Sequence, residues 1–207
     1  GDGEAITALR RQNTPCILID RDIPEVGLDR IVADNDLGGY MATRHLIELG
    51  HRKIATVSGP EGLASTGDRL SGYSRAMYEE GLESEVVAGD FQIGSGYHGF
   101  RRLSEQVNPP TAIFAANDLM ALGVLHGAAE VGVAVPEELS VIGFDDIRLA
   151  SYAVPALTTV RQPQHEIVNQ TVKRMLYLLR AGGDGQKLRI TLEPRLVVRS
   201  STAPPKE

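Results

Sequence analysis

The sequence predicts an α/β fold built on a parallel sheet, and three observations lead to that prediction. Short apolar runs recur along the chain, and each ends abruptly on a polar residue before a helical pattern. Runs this short and uniformly apolar are typical of strands that helices bury on both faces. From residue 35 to residue 145 the order is helix, then strand and helix three times, then strand, which requires parallel pairing through right-handed crossovers. The runs cover residues 16–19, 54–57, 86–89, 112–116 and 141–144.

Capping residues in front and glycines behind set the limits of the predicted helices. Asn35 or Asp36 caps the first helix, and a loop rich in small residues precedes the second. Pro163 suits the first turn of the last helix, and the pair Gly182–Gly183 ends it. The predicted helices cover residues 35–49, 66–80, 95–103, 117–131 and 163–181.

Asn117 and Asp118 follow a strand and open the fourth helix, and either side chain suits a helix cap. The helix needs only one cap, so the other side chain is free for another role. We assign the cap to Asp118, which leaves Asn117 to contact a ligand.

The regular alternation of strands and helices ends after residue 145. An extended piece over residues 155–162 leads into the last helix, and two further extended segments follow at 188–192 and 195–199. Because this single extended segment is followed by a helix and a strand, we expect it to lead the chain back to a second lobe. Residues 203–207 are expected to be a frayed tail.

Composition argues against several classes of protein. A net charge of −6 and the absence of a basic run argue against a nucleic-acid surface within these residues. The chain has no apolar segment of membrane-spanning length, so no membrane partner is expected. Its one cysteine, Cys16, lies in an apolar run and is expected to be a small buried hydrophobe. The absence of a secretory signal favours the cytoplasm, although a mature exported protein would have lost that signal.

Ligands of open parallel sheets bind beyond the carboxyl ends of the strands, where the polar residues that end the runs lie. Asp145 is expected to accept hydrogen bonds from a ligand, the alternative being a helix-capping turn with Asp146. Arg69 falls in the first turn of the second helix, where the helix dipole disfavours a cation. We expect its planar fork to reach vicinal hydroxyls or a carboxylate rather than solvent. Phe91 is expected to stack on a sugar or a purine, with core packing as the alternative.

No catalytic constellation is evident in the sequence. The five histidines lack metal-ligand spacing, and neither a nucleophile elbow nor a phosphate-cradling loop is present. Gly94-Ser95-Gly96 lacks the third glycine and the strand context of a dinucleotide fingerprint. An acid–base site of Asp20, Asp145 and Arg69 is chemically conceivable, yet nothing activates a nucleophile. We therefore expect no enzyme activity, no cofactor and no metal.

Several stretches resemble the effector-binding region of the lactose-repressor/galactose-repressor (LacI/GalR) family of bacterial transcription regulators. They cover roughly residues 15–200 in the order that the family shows, and several are long and specific. The matching stretches are residues 17–21, 34–40, 45–52, 69–73, 116–123, 135–136, 140–146 and 155–163.

The resemblance implies the periplasmic-binding-protein-like type I fold, in which three crossing strands join two parallel-sheet lobes around a ligand cleft. It implies a partial amino-terminal lobe of residues 1–33 and 162–191, and a carboxy-terminal lobe of residues 34–161 and 192–207. The first strands of the amino-terminal lobe and the family's helix-turn-helix have no counterpart here, so that lobe is expected to be incomplete. Only the strands near 16–20 and 188–192 and the helix after Pro163 are expected in it.

The resemblance also carries ligand-binding residues over by position. Asp20 and Gln162 would face the cleft from the amino-terminal lobe or the hinge. Leu63 stands where some relatives have a polar residue, so one contact made elsewhere is expected to be missing. The other lobe would contribute Ser65, Arg69, Phe91, Asn117 and Asp145.

The function implied is a transcription regulator, in most cases a repressor, that senses a sugar, a nucleoside or a purine. The resemblance places the helix over 117–131 and the segment 151–154 at the interface of a homodimer, and operator DNA would be bound only through the missing helix-turn-helix. A solute-binding protein of an uptake system uses the same fold and is the alternative. An enzyme such as a nucleoside hydrolase or a small-molecule transferase is the third reading.

Overall fold

The computed structural model describes residues 9, 14–20, 27–180 and 187–206, and the chain divides into two compact units. The small unit takes residues 1–34 and 163–193, and the large unit takes residues 35–162 and 194–207. The chain therefore passes from one unit to the other after residues 34, 162 and 193. The boundaries implied by the resemblance fall after residues 33, 161 and 191.

The described helices and strands follow the alternating order expected for an α/β chain. A 3₁₀ turn over Arg148–Ser151 lies between the sixth and seventh strands. In chain order the elements are β1 (Ile17–Ile19), β2 (Asp29–Ala33), α1 (Asn35–Glu48), β3 (Ile54–Val57), α2 (Ala64–Glu79), β4 (Glu85–Val87), α3 (Ile93–Ser104), β5 (Ala112–Ala115), α4 (Asp118–Glu130), β6 (Ser140–Asp145), β7 (Thr158–Arg161), α5 (Gln164–Arg180), β8 (Arg189–Leu192) and β9 (Arg195–Val197).

The large unit is organised around a sheet with the strand order β4-β3-β5-β6-β7-β9. β3 pairs in parallel with β4 and β5, and parallel pairing continues through β6 to β7. β9 runs antiparallel to β7 at the edge. The predicted parallel sheet is confirmed, and the carboxyl ends of β3 to β7 therefore lie at one edge of it.

Two layers of helices cover this sheet, which explains why its central strands are largely apolar. Phe114 and Ile142 pack on one face in a cluster with residues of α1 and α2. Ile113 and Val141 pack on the other face with α3 and α4. Each of these four side chains is at most 1% exposed, and burying one of this size stabilises the fold by about 1.5–3 kcal/mol.

Glycines with left-handed backbone follow the helices where the sequence predicts them to end. Gly50 follows α1 with φ +103°, and Gly81 and Gly132 follow α2 and α4 with φ +65° and +77°. The predicted start of α2 is wrong, because the helix begins at Ala64 after Leu63, whose side chain makes no capping hydrogen bond. Arg69 therefore lies in the second turn of α2 and not in the first.

The described strands of the small unit form a parallel sheet in the order β1-β2-β8, with α5 packed against β1 and β2. Its core joins Ile31 and Ala33 of β2 to Ile167 of α5. The expectation of strands only near 16–20 and 188–192 is therefore wrong, because β2 lies between them. The predicted helix stop at Gly182–Gly183 lies outside the described residues. Neither α5, of 17 residues, nor any other described helix is long and apolar enough to cross a bilayer.

β2 is not predicted as a strand from the sequence, because it begins with two charged residues, Asp29 and Arg30. Asp29 is nevertheless only 1% exposed, since its carboxylate accepts hydrogen bonds from Arg174 Nε at 2.7 Å and from the Leu188 N–H at 2.8 Å. Burial alone would raise the pKa of Asp29, but these hydrogen bonds outweigh it and lower the pKa. The strand depends on a cation that lies 145 residues further along the chain.

The chain after β9 is held on the large unit, so the expectation of a frayed tail is wrong at Ala203. Ser201 Oγ donates to Val141 O at 2.6 Å, and the Val141 N–H donates to Ser201 O at 2.8 Å. The Ala203 carbonyl accepts from Ser140 Oγ at 3.0 Å and lies 2.9 Å from Nε2 of the buried His51. These bonds satisfy polar groups at the amino end of β6 that would otherwise be buried without partners.

We predict that Tyr73→Phe lowers the free energy of unfolding by about 1–2 kcal/mol, because it leaves buried polar groups unpaired. The Tyr73 hydroxyl is fully buried, donates to Ile54 O at 2.7 Å and accepts from the Glu85 N–H at 2.9 Å, joining β3 to β4. Chemical denaturation measures the change. Tyr78→Phe on the same helix is the matched control, because Tyr78 is 85% exposed, and equal losses in both variants would contradict the assignment.

Candidate functional site

Polar and aromatic side chains gather in the large unit where its parallel strands end. Asp145 is the last residue of β6, Gln162 follows β7, and Asn117 follows β5 by two residues. Phe91 lies in the segment between β4 and α3, and Arg69 reaches this edge from α2. We call Arg69, Phe91, Asn117, Asp145 and Gln162 the Arg69 cluster.

Arg69 is the centre of this cluster and is only 4% exposed. Its Nε donates to Asn35 Oδ1 at 2.8 Å and its Nη1 donates to Ala116 O at 2.5 Å. Its guanidinium carbon lies 3.7 Å from the centre of the Phe144 ring, so the cation also stacks on an aromatic face. Most of the fork expected to meet a ligand is therefore engaged with the protein itself.

Asp145 is held between an amide and a cation. Gln162 Nε2 donates to Asp145 Oδ1 at 2.7 Å, and Arg69 Nη2 lies 3.5 Å from the same oxygen. The Asp145 side chain remains 23% exposed, whereas that of Arg69 is 5% exposed. The Asp145 side chain is thus both oriented by the protein and partly exposed to solvent, as a ligand-binding acceptor must be.

Asn117 caps α4, so the assignment of the cap to Asp118 is wrong. Asn117 Oδ1 accepts from the Met120 N–H at 2.9 Å, and its amide Nδ2 donates to the Phe91 carbonyl at 2.9 Å. The side chain therefore joins the start of α4 to the segment that carries Phe91. Phe91 has a left-handed backbone with φ +66°, and its ring centre lies 5.7 Å from the Arg69 guanidinium carbon.

The two remaining predicted site residues are Ser65 in the large unit and Asp20 in the small unit. Ser65 is half-buried in the first turn of α2, four residues before Arg69. Its neighbour Thr66 is 7% exposed, and the Thr66 hydroxyl has no hydrogen-bond partner among the residues that the structure describes. Asp20 belongs to the small unit, where it follows β1, is exposed and donates its N–H to Ile31 O at 3.2 Å.

Sequence reasoning misses a second layer of charged residues behind Asp145. Asp118 is fully buried and accepts from Thr159 Oγ1 at 2.5 Å and from the Ile147 N–H at 2.8 Å. Asp146 accepts from Arg161 Nε at 2.5 Å and from Arg199 Nη2 at 2.6 Å. The pairs Asn117–Asp118 and Asp145–Asp146 are visible in the sequence, but nothing local reveals which distant side chains they contact.

The groups at this edge are suited to non-covalent binding of a polar ligand. Carboxylate and amide oxygens accept hydrogen bonds, amide and guanidinium groups donate them, and Phe91 offers an aromatic face. Within the described ranges, no three His, Cys, Asp or Glu side chains lie where they could share a metal ion.

We predict that Asp118→Asn removes a pH dependence of stability between about pH 4 and pH 7. Burial is the main reason that the pKa of Asp118 rises from 3.8 to about 7. The hydrogen bonds from Thr159 and Ile147 lower this pKa, whereas the nearby charges of Asp145 and Asp146 raise it further. The folded state therefore keeps a proton that the unfolded state loses. The resulting stabilisation is complete below pH 3.8 and is lost as the pH rises through 7.

Urea denaturation of both proteins across this range measures the effect. The free energy of unfolding of the unsubstituted protein minus that of Asp118→Asn should decrease from pH 4 to pH 7 and level off above it. A difference that stays constant across the range would contradict the prediction.

Comparison with known families agrees with this architecture. The profile of the periplasmic binding protein-like domain family matches residues 43–202. The HTH-type transcriptional repressor PurR of Salmonella paratyphi B is 39% identical over 197 residues, which are 93% of this chain and 57% of that protein. The chain therefore spans little more than half the length of this curated relative.

Solved structures of two regulators share the fold. A LacI family transcriptional regulator from Enterococcus faecium, with bound ribose, superposes with a TM-score of 0.91 at 31% identity over 98% of this chain and 76% of that one. The complex of the transcriptional regulator CelR with cellobiose gives a TM-score of 0.86 at 35% identity, covering 93% of this chain and 60% of that one. The periplasmic-binding-protein-like fold is confirmed, and the chain belongs to the LacI family of transcriptional regulators.

Proposed function

We propose that this chain is the effector-binding part of a bacterial transcription regulator, most simply a repressor. The observation that carries the proposal is the Arg69 cluster, in which Asp145 is oriented by Gln162 and Arg69 while its side chain stays partly exposed to solvent. The cluster lies at the carboxyl ends of parallel strands, where ligands of such sheets bind. The regulators that the chain resembles, two of them with a sugar bound, support this function.

A sugar is the effector class that we propose first. A carboxylate beside a guanidinium and a carboxamide can pair with adjacent hydroxyls, and the ring of Phe91 can cover the apolar face of a pyranose or furanose. A nucleoside or a purine can use the same groups, with the base stacked on Phe91, and is the alternative effector. Asp20 and Ser65 are proposed as further contacts, because each offers an accessible polar side chain.

A solute-binding protein of an uptake system is the competing function, since it uses the same fold. The regulators among the relatives favour transcription control, and with it a protein that acts in the cytoplasm without enzyme activity or cofactor. The net charge of −6 does not favour DNA contact by these residues. We therefore propose that operator DNA is bound through a helix-turn-helix joined to this chain.

A thermal-shift screen is the direct test of effector binding, because a ligand that binds only the folded state raises the melting temperature. The probes are ribose, cellobiose, adenosine, guanosine, adenine and guanine. A shift that depends on probe concentration supports the function. No shift with any of these probes, at concentrations up to 10 mM or the solubility limit of each, would count against it.

We predict that Asp145→Ala and Arg69→Ala each weaken binding of the probe that gives the largest shift by about 1.5–3 kcal/mol, which is about tenfold to a hundredfold in Kd. Calorimetry measures the affinities, and circular dichroism checks the fold. The control variants are Asp36→Ala and Arg75→Ala, because this ion pair, with a distance of 2.5 Å, joins α1 to α2 with both side chains exposed. Unchanged affinity in both site variants would refute the site.

We also propose a homodimer. Met120 and Val124 of α4 are fully buried in the large unit, so these two apolar side chains are not available for a contact between subunits. Leu122 is half-buried against the same core. The segment after β6 does carry exposed apolar side chains, with Leu149 55% exposed and Val154 95% exposed. Together with the family resemblance, this surface supports a two-fold contact.

We predict that Val154→Asp raises the dimer dissociation constant at least tenfold, because it places a charge in an apolar contact. Sedimentation of the full-length protein at micromolar concentration measures the change. Val107→Asp is the control, since Val107 is fully exposed in the loop before β5. The variant at Leu122 is less informative, because Leu122→Asp would also disturb the core. A monomeric unsubstituted protein, or a dimer that Val154→Asp does not weaken, would overturn the assignment.

A further inference from the structure

The turn that follows β6 has a backbone that side chains rarely adopt. Asp145 and Asp146 are consecutive and have φ values of +106° and +56°. Such conformations cost on the order of 1–3 kcal/mol for each non-glycine residue and persist only where the surroundings hold them in place. The contacts that hold this turn therefore decide where the Asp145 carboxylate points.

Asp118 holds the turn from the interior of the large unit. Its Oδ2 accepts from the Ile147 N–H at 2.8 Å, and its Oδ1 accepts from Thr159 Oγ1 at 2.5 Å. A Cβ atom on Gly143 would lie 2.2 Å from Asp118 Oδ1, so the carboxylate passes directly against the backbone of β6. One buried side chain thus joins α4 and β7 to the turn and leaves room only for glycine at residue 143.

Asp146 holds the turn from its other side. Its two oxygens accept from Arg161 Nε at 2.5 Å and from Arg199 Nη2 at 2.6 Å, and Arg199 Nη1 also donates to Leu157 O at 2.7 Å. The side chain is only 7% exposed and both of its oxygens are engaged. Asp146 is therefore committed to the protein, whereas Asp145 beside it keeps an open face.

Asp118 is not needed as the cap of α4, because Asn117 already caps that helix. A fully buried carboxyl group is costly unless hydrogen bonds compensate it, and here the bonds go to the turn and to β7. A role in shaping the turn accounts for both acidic side chains.

We propose that Asp118 and Asp146 are positioning residues for the effector: they hold the 145–147 turn so that Asp145 presents its carboxylate to the ligand. The inference rests on the proposed binding site and extends it to residues that do not touch the ligand. It assigns the affinity of the site partly to two buried acids and not to the contact residues alone.

The test measures affinity and local order in the same full-length variants. Ribose is the first probe, followed by cellobiose and adenosine, and calorimetry gives the dissociation constants. Asp118→Ala should weaken probe binding at least tenfold, and Asp146→Ala should also weaken it. Asp118→Asn should stay within threefold, because an asparagine oxygen can still accept from the Ile147 N–H.

A control separates positioning from general destabilisation. His51→Ala removes a buried side chain that contacts Thr111, Ser140 and Ala203 in the same unit, away from the Arg69 cluster. It should lower the melting temperature and leave the affinity unchanged. Amide hydrogen exchange at residues 145–147 should be faster in Asp118→Ala than in Asp118→Asn or His51→Ala.

The outcomes distinguish this inference from the proposed function. If Asp145→Ala loses affinity and Asp118→Ala and Asp146→Ala do not, positioning is overturned and the binding site stands. If the unsubstituted protein binds none of the probes, the proposed function fails and hydrogen exchange decides the inference. Faster exchange at residues 145–147 in Asp118→Ala and Asp146→Ala than in Asp118→Asn and His51→Ala then supports positioning of the turn, and equal exchange in all variants overturns it.

Discussion

The positively charged Arg69 is only 4% exposed to solvent. The candidate site is organised around the groups that hydrogen-bond to this buried cation or pair with its charge. A buried cation must be paired or hydrogen-bonded, because losing its hydration would otherwise cost several kcal/mol. The partners are Asn35 Oδ1, the Ala116 carbonyl and Asp145, and they come from the start of α1, the end of β5 and the end of β6. One side chain therefore fixes the relative positions of three elements at the carboxyl edge of the sheet.

A parallel sheet makes this arrangement possible. Strands buried on both faces carry charged and strongly polar side chains mainly at their ends, so such residues from several strands converge at one edge. At that edge Asp145 and Asn117 each have two roles. Each side chain makes hydrogen bonds to neighbouring protein groups and is also proposed to contact a ligand. Asn117 illustrates the division, because its oxygen caps α4 while its amide holds the Phe91 carbonyl.

How much of this the sequence reveals depends on how local the determining contacts are. The parallel sheet follows from apolar runs of neighbouring residues, and the stops at Gly50, Gly81 and Gly132 follow from a single residue each. β2 could not be predicted in this way, because Asp29 becomes a strand residue only through Arg174. The choice between Asn117 and Asp118 as the cap fails for the same reason, since Thr159, 41 residues away, determines the role of Asp118.

The candidate site, too, could be predicted from the sequence only in part. Residues at the ends of strands, such as Asp145 and Phe91, could be named from the pattern, and the structure brings them near Arg69. The hydrogen bonds that Arg69 makes within the protein could not be predicted from the sequence. Their acceptors are a side chain 34 residues earlier and a carbonyl 47 residues later in the chain.

Backbone strain gives an independent indication of where function lies. The described residues that have left-handed backbone without being glycine are Asp20, Phe91, Asp145 and Asp146. Asp20 follows β1, Phe91 lies after β4, Asp145 is the last residue of β6 and Asp146 follows it, so each lies at or just beyond the carboxyl end of a parallel strand. The glycines that follow α1, α2 and α4 adopt the same conformation without this cost. Glycine would therefore suit the four strand-end positions better if only stability mattered. Side chains retained there against that cost are expected where a protein must present chemical groups, which is the role proposed for Asp145 and Phe91.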